Sequence, residues 1–314
     1  MIVAAACSGT QQAATNEFRV ALVTPGPVSD RSWNGSAYEG LEFIRDSLGA
    51  KISHVQAKTP ADFEENFRQY GAAGYSIVIG HGFEFQDAAK RVAPAYPRTV
   101  YLITGGRVTG ENLASVSFAF EEPSYLAGMA AAAASRTGMV ACVGGTQLPT
   151  VKSSFRAFAA GASAIRPQVS VITAYLGNWD DASAGREQAL ALARRGVDVI
   201  FQDADAAGLG VFQAAREQRA LRIIGSNANQ NDVAPRATLG SVVIDVPRAL
   251  LLLATQVKDG SFTPRLYRFT TKEEVVRWVP NPALMNELPA ADREQIASTA
   301  SLMRQGRFTL PPTP

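Results

Sequence analysis

The chain alternates between short apolar strands and amphipathic helices over most of its length. Turn-forming residues follow each predicted strand, and apolar residues at helical spacing come next. Such alternation predicts parallel sheets with right-handed crossovers and helices on both faces. The predicted strands span residues 18–23, 51–56, 76–80, 99–104, 139–143, 169–175, 197–202, 221–225 and 238–245, with helices between them.

The alternation occurs in two similar halves. The chain crosses between them near residues 114–120, and an Ala-rich helix over 125–136 opens the second half. The strand 238–245 is expected to lead back to the first half, whose edge the helix 248–258 would complete. The predicted fold class is therefore α/β, with two doubly wound Rossmann-like lobes joined by a multi-stranded hinge around a cleft.

The same pattern predicts the domain boundaries. Residues 17–120 and about 244–262 form lobe 1, and residues 121–243 form lobe 2. Residues 263–314 carry two β-like stretches and a helix, which we interpret as C-terminal additions to the lobes.

Composition excludes several classes of function. The chain has 314 residues, 30 basic and 28 acidic side chains, and no dense Lys/Arg run that could neutralise a row of phosphates. Nucleic acid is therefore not expected as a partner. No apolar run beyond the amino terminus approaches the roughly 18 to 20 residues that span a bilayer. With two His and two Cys, the sequence offers no metal spacing and no disulfide framework, and we expect no cofactor.

The first sixteen residues are interpreted as the remnant of a signal segment followed by a tether. MIVAAAC ends on a small-small-Cys pattern at Cys7, which is the residue lipidated in bacterial lipoproteins, and a Ser/Thr/Gln/Ala stretch follows. A chance Ala-rich start is the alternative, since the charged n-region and most of the apolar segment are missing. Membrane attachment, if present, would come from this lipid anchor alone.

The first strand leads into a Gly/Pro turn and then presents Trp33 and Asn34 at the carboxyl edge of the predicted sheet. Open α/β folds bind small molecules at this edge. An indole offers a large face for stacking on a ring, and a side-chain amide can both donate and accept hydrogen bonds. The alternatives are structural: Trp33 could staple the first helical turn, and Asn34 could cap the helix in competition with Ser32.

Other strand ends supply further candidates. Phe83 lies in the Gly-rich loop after the strand 76–80, while its neighbour Phe85 is expected to pack internally. Asp203 and Asp205 follow the strand 197–202; these acids would repel phosphate, and a Gly-Lys-Ser/Thr sequence is missing, which argues against a phosphate loop. Trp179 is either a wall of the cleft or a surface aromatic.

Five segments in order resemble the basic membrane protein family. They are SDRSWNGSAYEGL (29–41), GHGFEFQDA (80–88), FEEPSYLAG (120–128), GG (144–145) and WDDASAG (179–185). This resemblance covers about residues 18–258. It implies a type I periplasmic binding protein fold. It also implies that the protein is the substrate-binding component of an ABC importer, with an ABC permease as partner. Such a protein would be monomeric, periplasmic and lipid-anchored. Characterised family members bind purine nucleosides, so Trp33 would stack on the base, and Asp203 and Asp205 would contact ring or ribose.

Three positions depart from the family pattern. Pro25 follows Thr24 where the family has a base-recognising Asp, Asn227 replaces an Asp that grips ribose hydroxyls, and Ile244 replaces a sugar-contacting Lys. Each change removes a charge-assisted hydrogen bond, the stronger kind of hydrogen bond. Unless Asn227, Asp245 or Asp205 compensates, an unmodified nucleoside should bind less well, and a free nucleobase or another flat polar heterocycle becomes a candidate ligand.

The expected function is therefore a non-enzymatic solute-binding protein that closes on a nucleoside-like or nucleobase-like ligand. A ligand-sensing receptor with the same fold, and a binder of a non-purine small molecule, remain alternatives. An enzyme is disfavoured because the sequence has no Gly-x-Ser-x-Gly elbow and no plausible Cys/His pair.

Overall fold

A computed structural model describes residues 17–30 and 32–311; Cys7 and the predicted tether lie outside this part of the chain. The strands are β1 (Arg19–Thr24), β2 (Lys51–Gln56), β3 (Ile77–His81), β4 (Val100–Thr104), β5 (Leu113–Phe118), β6 (Met139–Gly144), β7 (Ser170–Tyr175), β8 (Val199–Asp203), β9 (Arg222–Asn227), β10 (Thr238–Ile244), β11 (Leu266–Phe269) and β12 (Val276–Pro280). The helices are α1 (Trp33–Leu48), α2 (Pro60–Ala72), α3 (Gln86–Val92), α4 (Glu121–Ala134), α5 (Pro149–Ile165), α6 (Ala182–Arg194), α7 (Asp205–Glu217), α8 (Val246–Asp259), α9 (Pro282–Met285) and α10 (Ala290–Arg304).

The strands form two six-stranded sheets with the orders β11-β5-β4-β3-β1-β2 and β12-β10-β9-β8-β6-β7. Every pair of neighbouring strands in these sheets is parallel except β10 and β12. The central strands β1, β3 and β8 are almost entirely buried, as expected for strands covered by helices on both faces. The predicted α/β fold with two doubly wound lobes is confirmed.

The chain passes between the two lobes at three places within the described residues: from β5 into α4, from β10 into α8, and from β11 into β12. β10 itself belongs to the second sheet, and α8 then packs against α1 of the first lobe. The two β-like stretches of the C-terminal region separate, since β11 extends the first sheet and β12 extends the second. These three connections form the hinge.

The Ala-rich helix α4 packs closely against α5, as its composition predicts. A Cβ atom at Gly128 would lie 1.9 Å from the Phe158 carbonyl oxygen, and one at Gly161 would lie 1.9 Å from the Tyr125 carbonyl oxygen. Only glycine permits this approach of the two backbones. Cys142 is fully buried in β6, where it packs as a small apolar core residue.

None of the helices in the described part of the chain is both long enough and apolar enough to cross a membrane.

Candidate ligand-binding cleft

A cavity of about 480 Å³ lies between the carboxyl edges of the two sheets and the hinge. This volume is within the range of small-molecule sites, about 300 to 1,000 Å³. The first lobe contributes the β1 turn, the loop after β3 and the loop after β4, while the second contributes the start of α5 and the ends of β8 and β9. The carboxyl ends of strands from both sheets therefore surround one space, as the sequence predicts.

Most of the residues singled out from the sequence line this cavity. They are Trp33, Asn34, Phe83, Trp179, Asp203, Asp205 and Asn227. Two positions that depart from the family pattern, Pro25 and Ile244, line it as well. The altered positions therefore lie where a ligand would be contacted.

Asp245 is placed differently and does not belong to the lining of this cavity. Its carboxylate caps α8 by accepting a hydrogen bond from the Arg248 amide at 3.1 Å, and it forms an ion pair with Arg277 at 3.0 Å. Asp245 therefore has a structural role in the hinge, at the point where the chain enters α8.

Trp33 is the first residue of α1, and one face of its indole is already occupied. The ring stacks on His81 with centroids 4.0 Å apart and an interplanar angle of 25°, and it meets Phe118 edge-on at 6.1 Å. Trp33 is half-buried and lines the cavity, so its position is set by protein contacts before any ligand arrives. Structural packing and ligand stacking are thus compatible roles for the same ring.

His81 supports Trp33 as a neutral, fully buried imidazole. Its Nε2 lies 3.0 Å from the Trp33 carbonyl oxygen and its Nδ1 lies 2.8 Å from Thr104 Oγ1. Because a carbonyl can only accept, Nε2 carries the proton and Nδ1 accepts from the Thr104 hydroxyl. Burial lowers the pKa of His81 to about 3. Both ring nitrogens are occupied, which argues against a general-base or metal-binding role.

Asp30 organises the start of α1. Its carboxylate accepts hydrogen bonds from the amides of Ser32, Asn34 and Gly35 at 2.8 to 2.9 Å, and from Asn34 Nδ2 at 2.7 Å. Ser32 is the N-cap residue by position but makes no side-chain capping bond, because Asp30 accepts from the free amides instead. Asp30 is therefore a structural residue of this turn, and Asn34 is not the helix cap.

The Asn34 side chain is fixed in one orientation and has an unsatisfied oxygen. Its Nδ2 must face the Asp30 carboxylate, since the reversed amide would place two acceptors against each other. The residue is 3% exposed, and its Oδ1 has no hydrogen-bond partner. A buried acceptor without a partner costs about 1 to 3 kcal/mol. Asn34 therefore has unused capacity to accept a hydrogen bond.

Trp179 forms part of the opposite wall. It is half-buried and packs on Gly145, where a Cβ atom would lie 2.1 Å from the indole Cε3. Trp179 is thus a wall of the cleft rather than a surface aromatic. On the first lobe Phe83 lines the cavity, whereas Phe85 is fully buried against Phe63 and Phe67, as expected.

Two buried acids lie where the lobes touch. Asp203 is 5% exposed, and burial raises its pKa to about 6 against the opposing effect of hydrogen bonds from Asn227 and Ser226. Burial, reinforced by the negative charges of Asp30 and Asp203, raises the pKa of Asp205 well above its ordinary value. Asn227 Nδ2 approaches Asp203 Oδ1 at 3.2 Å, Asp205 Oδ1 at 3.4 Å and Ser32 Oγ of the first lobe at 3.2 Å.

The backbone at this point adopts an uncommon conformation. Asp205 and Asn227 have φ values of 49° and 64°, in the left-handed region that residues other than glycine adopt infrequently. Asn and Asp tolerate this region better than other side chains do. Strained residues of this kind cluster at ligand sites, and here both residues aim their side chains at the contact between the lobes.

Some lining residues have no counterpart among the sequence candidates. Gly105, Gly106 and Arg107 follow β4, so the strand-end rule that identified Phe83 could also have found them. Leu266 and Arg268 come from β11, and Arg268 forms an ion pair with Glu121 at 2.8 Å. No sequence signal predicts that a C-terminal strand reaches the cleft. In residues 17–30 and 32–311 no cluster of His, Cys, Asp and Glu could hold a metal ion.

Two α/β lobes with a hinge and a polar, aromatic cavity between them define a bilobed solute-binding protein. A family described as "ABC transporter substrate-binding protein PnrA-like", Bmp, matches residues 18–300. The chain therefore belongs to this family. It is the solute-binding component of an ABC transporter, with a small-molecule ligand and a permease as partners, and it acts outside the cytoplasm.

Relatives and solved structures agree with this assignment. The ABC transporter nucleoside-binding protein BmpA of Lactococcus lactis is 30% identical over 277 residues, covering 81% of this chain and 79% of that protein. Basic membrane protein A of Borreliella afzelii is 28% identical, and the match covers 94% of this chain and 92% of that protein. A solute-binding protein of an ABC transporter system from Aeropyrum pernix K1 shares the fold with a TM-score of 0.85 at 20% identity, covering 94% of each chain. The resemblance inferred from the sequence motifs is confirmed.

Proposed function

We propose that the cleft binds a planar ligand of the nucleoside or nucleobase type and that the protein delivers it chemically unchanged to the permease. The arrangement of Trp33 and Asn34 carries this proposal. The supported indole of Trp33 is followed in the chain by Asn34, whose buried amide oxygen has no partner, and both residues line the same cavity. A flat ring with a polar edge satisfies both, because the ring face can stack while an N–H on its edge donates to Asn34.

The naming of the lactococcal relative as a nucleoside-binding protein supports the same ligand class. The changes at Pro25, Asn227 and Ile244 favour a ligand whose recognition depends less on the ribose, such as a free base. Delivery without chemical change is supported by the state of the potential catalytic groups. His81 has both nitrogens occupied, and Cys142 is buried with its pKa raised well above the ordinary value by burial.

Closure of the lobes would couple binding to transport. Ser32 of the first lobe already lies 3.2 Å from Asn227 of the second, so contacts from both lobes can act on one ligand. The liganded population would then follow the differential affinity of the ligand for the closed form.

We further propose a monomer held at the cell membrane, on the periplasmic side, by a lipid on Cys7. The small-small-Cys sequence supports this proposal. Expression in a bacterial host with a complete lipoprotein signal segment placed ahead of Cys7 tests it: the Cys7→Ser variant should move from the membrane fraction to the soluble fraction. Retention of both forms in the same fraction would contradict the anchor, and a dimer mass in light scattering would contradict the monomer.

Thermal-shift measurements followed by calorimetry test the ligand class. Purine and pyrimidine bases, their nucleosides, sugars and amino acids should be compared at one concentration, because a ligand that binds only the folded protein raises its Tm. We expect heterocycles to raise Tm and sugars and amino acids to leave it unchanged. Stabilisation by sugars or amino acids with no response to any heterocycle would refute the proposal.

A further inference from the structure

The side of the cleft where the two lobes touch has more hydrogen-bond acceptors than donors. We call the side chains of Asn34, Asp203 and Asp205 the acceptor corner; all three residues are at most 8% exposed and all line the cavity. Asp205 is close to the start of α1, since Asn227 Nδ2 lies within 3.4 Å of both Ser32 Oγ and Asp205 Oδ1. The corner therefore lies beside the indole on which a ligand ring would stack.

The protein supplies too few donors for these acceptors. Asn227 Nδ2 has two hydrogens and three acceptors within 3.4 Å, namely Ser32 Oγ, Asp203 Oδ1 and Asp205 Oδ1. At least one of these contacts is therefore unfilled at any moment. Buried carboxylates need several donors each, and Asn227 alone cannot fill the acceptors that surround it.

No cation lies within ion-pair distance of the two acids in the described part of the chain. Neither Asp203 nor Asp205 forms an ion pair there with Lys, Arg or His. Arg268, which also lines the cavity, is engaged with Glu121. Buried acids without a positive partner are costly, so a group that donates hydrogen bonds to them is strongly favoured.

Asn34 gives independent evidence that hydrogen-bond donors are too few here. Its amide is fixed by Asp30, and its buried Oδ1 has no partner. The amide cannot rotate to offer its NH₂ to a ligand without breaking the 2.7 Å bond to Asp30. Asn34 therefore has an acceptor that no donor in the described part of the chain fills.

We propose that the acceptor corner selects ligands that carry an amino group on the ring over the corresponding rings that carry a carbonyl oxygen there. This inference rests on the proposed function. An amino group donates through two hydrogens to Asp203 or Asp205, whereas a carbonyl oxygen at the same place would face acceptors and would leave only the neighbouring ring N–H to donate. Sites built to hydrogen-bond one group discriminate strongly against analogues that cannot form the bond.

Pairs in which a carbonyl oxygen replaces the amino group, and the adjacent ring nitrogen changes from an acceptor to an N–H donor, test the proposal. Calorimetry at pH 7.5 should compare adenosine with inosine, cytidine with uridine, and adenine with hypoxanthine. In every pair that binds, we expect the amino member to have at least a tenfold lower Kd. Equal Kd values within the pairs, or tighter binding of the oxo members, would overturn the inference while leaving the proposed function intact. If none of the six compounds binds, the proposed function itself fails.

A second outcome would indicate that Asp203 and Asp205 contact the ribose and not the ring. Ribose hydroxyls are also donors, so adenosine and inosine could bind equally while both free bases bind poorly. That result would place Asp203 and Asp205 at the sugar and would overturn the amino-group selection.

Asp203→Asn and Asp205→Asn provide a direct test of the residues. Each change keeps the size and adds an NH₂ that can donate to a carbonyl oxygen, and Asn tolerates the left-handed backbone of Asp205. We expect the preference for the amino member to fall at least fivefold in one or both variants. Asp46→Asn makes the same chemical change on the exposed surface of α1 and should leave the preference unaltered. An unchanged preference in both cleft variants, folded by circular dichroism, would refute the role of the corner.

Discussion

The indole of Trp33 stacks on the imidazole of His81, which also hydrogen-bonds to the carbonyl oxygen of the same tryptophan. Two independent contacts from β3 therefore fix the first residue of α1. The ring that faces the cavity is held in place before a ligand binds, so little side-chain entropy is lost when a second ring stacks on it.

Replacement of Trp33 should weaken ligand binding. Stacking of a base on an aromatic side chain contributes about 1 to 3 kcal/mol, so Trp33→Ala should raise Kd roughly 5- to 150-fold. Trp33→Phe should retain most of the affinity. Calorimetry with the best ligand from the screen measures both, and Trp278→Phe, which lies outside this cavity, is the control. Full affinity in Trp33→Ala would show that the ring does not stack on the ligand.

Replacement of His81 should separate its contribution to ligand affinity, made by supporting the Trp33 ring, from its contribution to stability, made by two buried hydrogen bonds. His81→Ala removes the ring behind Trp33 and should raise Kd several-fold, whereas His81→Phe keeps an aromatic partner and should bind nearly as well as the wild type. Both variants should lose stability, since the Trp33 carbonyl and the Thr104 hydroxyl lose a buried partner, at a cost of about 1 to 3 kcal/mol. Equal affinity of the Ala and Phe variants would argue against positioning by the ring.

His81 should also make stability depend on pH. Its folded-state pKa of about 3 is below the ordinary value of 6.5, so only the unfolded chain binds the proton between these values. The free energy of unfolding should therefore lose the His81 contribution as pH falls from about 6.5 to about 3. Urea denaturation at pH 7.5 and 4.5 measures this. The stability difference between wild type and His81→Phe should shrink at pH 4.5, and a constant difference would contradict the assignment.

Asp203 should make stability depend on pH in the opposite direction to His81. Its folded-state pKa of about 6 is above the ordinary value of 3.8, so the folded protein binds the proton more tightly and the contribution to stability is lost as pH rises through 6. Asp203→Asn should then stabilise the ligand-free protein at pH 7.5 by up to about 3 kcal/mol, the value of a shift of about two pKa units. The gain should vanish near pH 4. Destabilisation at pH 7.5 would mean that the carboxylate has a compensating partner.

Gly145→Ala should displace Trp179. The added Cβ would lie 2.1 Å from the indole Cε3, which no rotamer adjustment at residue 145 can relieve. We expect a loss of ligand affinity and a change in tryptophan fluorescence with retained secondary structure. Gly110→Ala is a suitable control, because its Cβ would make an ordinary contact with Leu113 at 3.4 Å. Unchanged affinity would remove Trp179 from the binding wall.

The contact between the lobes should depend on Ser32. Ser32→Ala removes the hydroxyl that lies 3.2 Å from Asn227 Nδ2, a hydrogen bond worth about 0.5 to 1.5 kcal/mol. We expect a more open ligand-free form, seen as a larger radius of gyration in small-angle scattering, and a Kd higher by roughly two- to tenfold. Ser47→Ala, on the exposed face of α1, should behave as the wild type. An identical radius of gyration would show that this bond does not hold the lobes together.

The sequence alone determined the architecture and much of the wall of the cleft. Strand and helix periods are local properties, and parallel pairing brings every strand end to one edge of a sheet. Phe83 and Asp203 could therefore be located from their positions after strands, and Trp33 from the turn that follows the first strand, whereas Asn227 was found through the family resemblance. The same local logic identified Phe85 as a core residue.

Only the tertiary structure decided which side chains meet. The period of a strand does not reveal that β11 and β12 join different sheets, nor that Asp245 caps α8 beside Arg277 instead of facing the cleft. Contacts between Ser32 and Asn227, and between Trp33 and His81, join residues from separate elements. They arise because the packing of two lobes fixes both distance and burial, and burial is what turns ordinary acids and an amide into a corner that lacks donors.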